Sequence, residues 1–333
     1  MNKINLLCPY CNEFHEVLLV EEEIKIEFKN ENIKYINKEY LCQNTGKRFS
    51  DEKLEELNSL AIKDEYRKIN NLLTSTQIKT IREKYSLSQS DLALILGWGE
   101  VTITRYETKE IQNEKYDNIL RKIDENPYVL YDYFEINKDS FDQKKQVKIY
   151  KKIINATPSL EQSNSLIEKT LIKKHFSNDS ILRGNSDIDL KRILAILKRI
   201  IDRGMKLYKT KIGKLLWYMD MLYYKENNYS ITGLSYFNMK YGAVPLGLDL
   251  ILDSPSIKVK EIEENDYVKI LIEGVNIDYD LTPKEIKIID QVINKFIDTP
   301  TQEIINAMHK EKAYQDTKEN SFISFEYASY VEL

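Results

Sequence analysis

Cysteine is scarce in this chain, glycine and proline are thin, and neither sign of charge dominates. Three cysteines, an odd number, cannot close a disulfide framework. In the C-terminal half, Gly242 and Gly247 are too few to cradle a phosphate. No apolar run approaches the roughly 18 residues of a membrane helix, and the start MNKINLLCPYC lacks a secretory layout. A cytoplasmic protein with no membrane partner is expected. Forty-nine Lys and Arg against 53 Asp and Glu give a net charge of -4, which excludes a bulk polyanion binder. Any DNA contact must come from a local patch, doubled in a homodimer. Catalytic constellations are missing as well. His309-Lys310-Glu311 and Asp220 are the C-terminal candidates, and no spacing supplies a nucleophile with an activating base and an orienting third group. No enzyme is expected.

What is present is amphipathic periodicity. The expected fold class is mainly α with small β elements, in two or three domains. The clearest stretch is 74–107, TSTQIKTIREKYSLSQSDLALILGWGEVTITRYE. Thr74 and Gln77 form a capping box, opening a helix with Ile78, Ile81 and Tyr85 on one face. Ser88, with Asp91 three residues on, caps a second helix whose inner stripe is Leu92, Ala93 and Leu96. Gly97-Trp98-Gly99 breaks the chain, and a third helix runs to Glu107 with Ile103 and Tyr106 inward. Helix, turn and helix with a polar outer face is the plan for entering a DNA major groove. Arg82 and Glu107 should pair and hold the first helix to the third. Between Thr74 and Glu125, however, eight Lys and Arg face nine Asp and Glu, which weakens the electrostatic case for DNA.

Ahead of this bundle, Cys8-Pro9-Tyr10-Cys11 presents two thiolates from one turn, as a structural zinc site requires. Ile24, Ile26 and Phe28 alternate with Lys25 and Glu27, and Ile33-Lys34-Tyr35 resumes the pattern, so a hairpin leads back to Cys42. Three readings of the site stay open. His15 completes a Cys3His set with Cys8, Cys11 and Cys42; a water or another group takes the fourth place; or the ribbon is metal-free and held by its strands. Ser50-Asp51-Glu52 then starts a helix carrying Leu54, Leu57, Ala61 and Tyr66. Beyond Glu107, a helix with Tyr116, Ile119, Leu120 and Ile123 on one face ends at Asn126-Pro127, and Tyr128 to Phe134 makes a short last one.

The order Ser88-Gln89, Leu92-Ala93, Leu96-Gly97, Ile103 and Arg105-Tyr106-Glu107 resembles the Xre/Cro-type helix-turn-helix, in particular the version in MqsA-type antitoxins with its GxG turn and RYE ending. The CxxC, hairpin and Cys layout resembles the zinc ribbon ahead of it in that family. The resemblance spans 1–135: a zinc-ribbon-like hairpin domain with connecting helix over 1–70, and the helix-turn-helix domain over 71–135. It implies that Gln89 reaches DNA from the second helix and that Arg105 reads bases. Ser88, Glu100, Val101, Thr102 and Thr104 complete the candidate DNA face. Two positions depart from the family. Val101 stands where the MqsA type carries an asparagine base reader, and Thr45, not a credible zinc ligand, stands where its second knuckle has a cysteine.

Residues 136–185 read as a helical linker region. KKQVKIYKKII and SLIEKTLIKKHF carry lysines on polar faces that could line an interaction surface, although a charge run is usually a solvated face. His175 reads as surface, and SNDSILRGNSD (177–187) as the best linker. Leu190, Ile193, Leu194, Leu197, Ile200 and Ile201 then form a helical stripe that Gly204 ends. The segment 209–245 holds a KxxKLLWYxD helix, an SITGLxY step and a YGxVP turn, by which 186–333 resembles the SocA-like, or Panacea, domain. Ala243 replaces the family's usual proline and should loosen that turn. Ile257 to Ile262 and Val268 to Ile272 read as a hairpin. Thr282-Pro283-Lys284-Glu285 and Thr299-Pro300-Thr301-Gln302 read as the starts of two more helices.

The two resemblances together imply a type II antitoxin with a Panacea domain of α+β build. That domain would neutralise a cognate protein toxin by direct binding, while the N-terminal half dimerises on operator DNA and represses its own operon. Toxin contacts are expected beside the Gly242 turn, at Lys211, Lys214, Tyr236, Lys240 and Tyr241, the lysines steering an acidic partner. Rival readings are a mobile-element transcriptional regulator and a proteolytic adaptor whose C-terminal domain binds a host protein.

Overall fold

The computed structural model describes residues 3–175, 179–264 and 267–333, which fall into two compact units, Met1–Ala156 and Thr157–Leu333. In the first, β1 (Lys3–Cys8), β2 (Glu13–Phe28), β3 (Glu31–Leu41) and β4 (Arg48–Phe49) form one antiparallel sheet in that order. Ile24 pairs with Tyr35 and Ile26 with Ile33, so the alternation read along the chain is a hairpin in register. Its two-residue turn is Lys29-Asn30, at φ 50° and 65°, the left-handed pair that a type I′ turn demands. At the base of the sheet Val17 and Tyr40 pack with Leu54 of α1 (Glu52–Ile69). Asp51 caps that helix by accepting from the Leu54 amide at 2.8 Å. Asn58 exchanges two hydrogen bonds with the Lys38 backbone, at 2.9 and 2.8 Å, and so docks α1 along β3. The docked stripe runs through Leu54 and Asn58, which turns Leu57, expected inside, out to 49% exposure.

The helical part of this unit comprises α2 (Ser75–Lys84), α3 (Gln89–Ile95), α4 (Thr102–Thr108), α5 (Glu114–Glu125), α6 (Pro127–Asn137) and α7 (Gln143–Asn155). The Thr74 box is closed both ways: Thr74 Oγ1 accepts from the Gln77 amide (3.3 Å), and Gln77 Oε1 accepts from the Thr74 amide (2.8 Å). Ser88 Oγ accepts from the Asp91 amide at 3.1 Å. Ile78, Ile81, Tyr85, Leu92, Ala93, Leu96, Ile103, Leu120 and Ile123 are all buried, as the periodicity requires. One residue that no pattern singled out ties the two parts of the unit together. Arg67, fully buried in the last turn of α1, donates from Nη1 to Asp64 (2.7 Å) and from Nε to Gln112 (3.0 Å). Its Nη2 donates to the carbonyls of Tyr106 (2.7 Å) and Glu110 (2.6 Å), at and just past the end of α4.

Residues 136–185 divide between the two units. In α7, Ile149, Tyr150, Ile153 and Ile154 are buried, and Tyr150 meets Tyr131 of α6 edge-on at 6.1 Å. In the second unit α8 (Leu160–His175) packs on α9 (Leu190–Asp202). His175 corrects the surface reading: it is 1% exposed, its Nδ1 lies 2.7 Å from the Leu171 carbonyl, and burial pushes its pKa down. Phe176 and the start of the 177–187 stretch, Ser177 and Asn178, lie outside the described residues.

After β5 (Leu207–Tyr208) comes α10 (Lys209–Asn227), every residue of which from Lys211 to Tyr223 is buried. A helix apolar nearly all round belongs at a core's centre. The elements that follow are β6 (Tyr236–Met239), β7 (Gly242–Pro245), α11 (Leu248–Leu252), β8 (Ile257–Glu264), β9 (Tyr267–Val275), α12 (Pro283–Phe296), α13 (Thr301–Met308) and α14 (Lys312–Asp316), of which β7, β9, α12 and α13 pack on α10. β5, β9 and β8 form one antiparallel sheet, and β6 and β7 a separate hairpin. The Thr282/Glu285 box is closed, with Pro283 in the first turn. Thr299 does not repeat it. Pro300 occupies the N-cap position of α13, and the Thr299 hydroxyl donates back to Lys295 (3.3 Å).

Replacing Arg67 with methionine roughly keeps its volume but strands four partners. Stability of the first unit should fall by about 3–5 kcal/mol, read from denaturant midpoints. A loss near zero would mean that the polar tie is dispensable.

Candidate functional site

The metal-capable side chains come from two turns and one strand. Cys8 ends β1, and the chain reverses through Asn12, at φ 55°, whose amide donates to the Cys8 carbonyl at 2.8 Å. Cys42 opens a matching turn, with Gly46 at φ 70° donating to the Cys42 carbonyl at 2.8 Å. His15 lies on β2, opposite Leu6. The ligand atoms of Cys8, Cys11, His15 and Cys42 all fall within 4.8 Å of one another. Cys11 Sγ is 3.6 Å from Cys42 Sγ, and His15 Nε2 is 3.7 Å from Cys42 Sγ. Tetrahedral zinc with bonds of about 2.3 Å to sulfur sets neighbouring sulfurs about 3.8 Å apart, so the four residues fit a zinc ion. His15 Nδ1 lies 2.9 Å from the Glu16 carbonyl, a backbone anchor that directs Nε2 to the thiols. Of the readings left open at this site, the geometry supports Cys3His. Thr45 acts at one remove: its hydroxyl hydrogen-bonds to Cys42 and pulls that thiol down to about 6. Bound there, zinc would cross-link the two turns.

On the helix-turn-helix, Arg82 and Glu107 pair through two bonds, Nε to Oε1 at 2.7 Å and Nη2 to Oε2 at 3.0 Å. Gln89 is drawn into the same cluster. Its Nε2 donates to Glu107 (2.7 Å) and its Oε1 accepts from Thr104 (2.9 Å), so both ends of its amide are engaged inside the bundle. Thr104 is held with it. Ser88 is exposed but serves as the cap of α3. Glu100, Val101 and Arg105 are exposed, Val101 by 56%, and Thr102 is half-buried. Arg105, with a side chain 57% exposed, lies 3.8 Å from Glu110.

In the second unit the five expected toxin contacts separate. Lys211 is 5% exposed and donates to the carbonyls of Phe296 (3.1 Å) and Thr299 (3.2 Å). Lys214 is 1% exposed, and burial pushes its pKa down to about 8. Tyr236 is fully buried and donates to Asp220 at 2.6 Å. These three are interior, because α10 is enclosed from Lys211 to Tyr223 and β6 turns Tyr236 inward. Lys240 and Tyr241 are exposed on the β6–β7 turn, the ammonium 5.4 Å from the ring centre. Gly242 makes that turn feasible: its φ is 94°, and a Cβ there would meet the Met308 sulfur at 2.7 Å. Ala243 does not loosen the turn. Its amide, which proline would lack, donates to the same sulfur at 2.9 Å.

Asp220, the buried carboxylate of α10, holds the SITGL step. It accepts from the amides of Ile231 and Thr232, both at 2.9 Å, and from the hydroxyls of Thr232 and Tyr236. Burial pushes its carboxyl up to about 6 against those four bonds. Gly233 is required beside it, since at φ 72° a Cβ would meet the Asp187 carbonyl at 2.6 Å. His309 stacks on Tyr314 at 4.4 Å, and its buried Nε2 has no hydrogen-bond partner among the described residues.

These features define a two-part chain, a thiol-bearing ribbon with a helix-turn-helix followed by a helix-centred α+β unit. Residues 6–133 match the family described as the antitoxin component of bacterial toxin-antitoxin systems, MqsA, and residues 212–315 match the SocA-like antitoxin Panacea domain. The chain therefore carries the two antitoxin regions that its motifs resemble. No curated protein and no solved structure matches it. No helix among the described residues is long and apolar enough to cross a membrane.

Protein purified under anaerobic conditions should contain about one zinc per chain, and a strong chelator should melt the ribbon, because structural zinc contributes about 10 kcal/mol or more. Cys42→Ser should lower the metal content and have the same effect. Negligible zinc with an unchanged melting curve would discard the site.

Proposed function

We propose that this chain is the antitoxin of a type II pair. The second unit neutralises a protein toxin by direct binding, and the first dimerises on operator DNA and represses the operon. The observation that carries this reading is the joining of two separate antitoxin-family matches in one chain. Binding, not catalysis, is the activity proposed. For DNA, the reading is supported by the exposed outer side of α4, where Arg105 is the base-reading candidate and Val101 offers an apolar contact to a thymine methyl. The Arg82–Glu107–Gln89–Thr104 cluster behind it fixes how α3 and α4 sit.

For the toxin, the reading is supported by the exposed β6–β7 turn. Tyr241 is 56% and Met239 38% exposed, and Lys240 stands beside them. Tyrosine is enriched in interface hot spots, and the lysine favours an acidic partner.

Two measurements test the halves separately. Arg105→Ala should weaken binding to the chain's own promoter by about 1–3 kcal/mol in a mobility shift. Wild-type protein with no preference for that promoter over random DNA would sink the DNA half. Tyr241→Ala and Lys240→Ala should each impair rescue of cells expressing the neighbouring toxin gene. Their melting points should barely move, since both sites are exposed. Full rescue by both variants would place the toxin contact elsewhere.

A further inference from the structure

The DNA reading leaves an electrostatic shortfall. Phosphate neutralisation supplies much of the affinity of DNA-binding proteins, yet 74–125 carries one more acidic than basic residue. Helix α7 lies beyond both matched regions and holds five lysines and no acid. Its apolar side is buried, and two of its lysines fasten it to the helix-turn-helix. Lys145 Nζ lies 2.6 Å from Asp91, in the first turn of α3. Lys152, two helical turns further on, donates at 2.7 Å to the carbonyl of Ser86, in the turn between α2 and α3. In a helix-turn-helix the first helix, here α3, crosses the DNA backbone, and the Ser86 turn leads into it.

Lys144 and Lys148 stand one turn apart on the neighbouring stripe of α7. Both are exposed, and neither has an ion pair among the described residues. With Lys145 and Lys152 they line a shallow groove of about 310 Å³ that also includes Asp91 and Asp142. Both carboxylates are already committed. Asp91 pairs with Lys145, and Asp142 caps α7 by accepting from the Lys145 amide at 2.8 Å. Asp142 keeps its charge in that cap, but four lysines against two carboxylates leave the lining of the groove net positive.

We infer that α7 is an accessory phosphate-binding helix of the DNA-binding unit, with Lys144 and Lys148 neutralising backbone phosphates beside the bases that α4 faces. The inference rests on the reading that this unit binds DNA. A lysine row that is merely solvated would be indifferent to DNA.

The test is a fluorescence-anisotropy titration of the full chain on its own promoter duplex and on a random duplex, at several salt concentrations. Wild type, a Lys144→Gln/Lys148→Gln double variant, its Lys→Arg counterpart and Arg105→Ala are compared. The glutamine pair should bind both duplexes roughly tenfold or more weakly near ~0.1 M salt, and the slope of log affinity against log salt should shrink by about two per chain. Preference for the promoter should survive, the arginine pair should restore binding, and melting curves should coincide. Arg105→Ala should narrow the preference itself. If the glutamine pair keeps wild-type affinity and slope while Arg105→Ala loses preference, α7 is only a solvated face and the DNA reading stands. If wild type binds neither duplex, both fall.

Discussion

A charge taken out of water must be saturated with partners, and each half of this chain is organised round one such charge. In the first unit it is Arg67, with no exposure and four polar partners. In the second it is Asp220, with none and four donors. An unpaired buried ion costs several kcal/mol, so each group dictates where backbone from distant parts of the chain must lie. Arg67 requires the carbonyls of Tyr106 and Glu110 to converge on the end of α1. Asp220 requires the amides of Ile231 and Thr232 to fold back over α10.

The two anchors constrain different things. Arg67 and the Arg82–Glu107 pair fix α4 from both sides, one from α1 and one from α2. The ribbon, through α1, is therefore mechanically continuous with the helix expected to face DNA. Gln112 extends the same polar chain: its amide donates to the Leu73 carbonyl (2.6 Å) and to Asp117 (2.9 Å), which in turn accepts from the Leu73 amide (2.7 Å). In the second unit Asp220 does no such bridging between helices. It closes a loop on its own helix and so freezes the step that leads into the β6–β7 hairpin.

What was legible in the sequence was local. Thr74 with Gln77, Thr282 with Glu285, and Cys8 with Cys11 are pairs within four residues, and the stripe on α9 repeats within two turns, so each could be read without knowing the fold. The pairing of Arg82 with Glu107 was legible because both ends lay in one recognisable motif. Arg67 was not, since its main partners lie 39 to 45 residues away. Gln89 looked free because Thr104 and Glu107 close on it only once α3 and α4 are packed. Lys211 and Lys214 looked like surface charge because lysine is seldom buried, and only the wholly enclosed setting of α10 overrides that preference. The Cys3His set was within reach of spacing alone, but choosing it over the other readings needed the β1–β2 register that turns His15 to the thiols.

The β6–β7 hairpin is held along its β6 edge. The Asn238 amide donates to Ser321 (2.9 Å), the Ile323 amide donates to Tyr236 (2.8 Å), and Phe237 stacks on Phe322 at 4.1 Å. Beneath it, Gly242 sits against the Met308 sulfur at φ 94°, a backbone conformation that a side chain would strain. A surface so confined has little conformational entropy left to lose. Any protein that docks on Lys240 and Tyr241 meets a turn whose flanking backbone is already arranged, so less of its contact energy is consumed in ordering that backbone. Such a partner should therefore need a smaller footprint than one that must first organise a mobile loop.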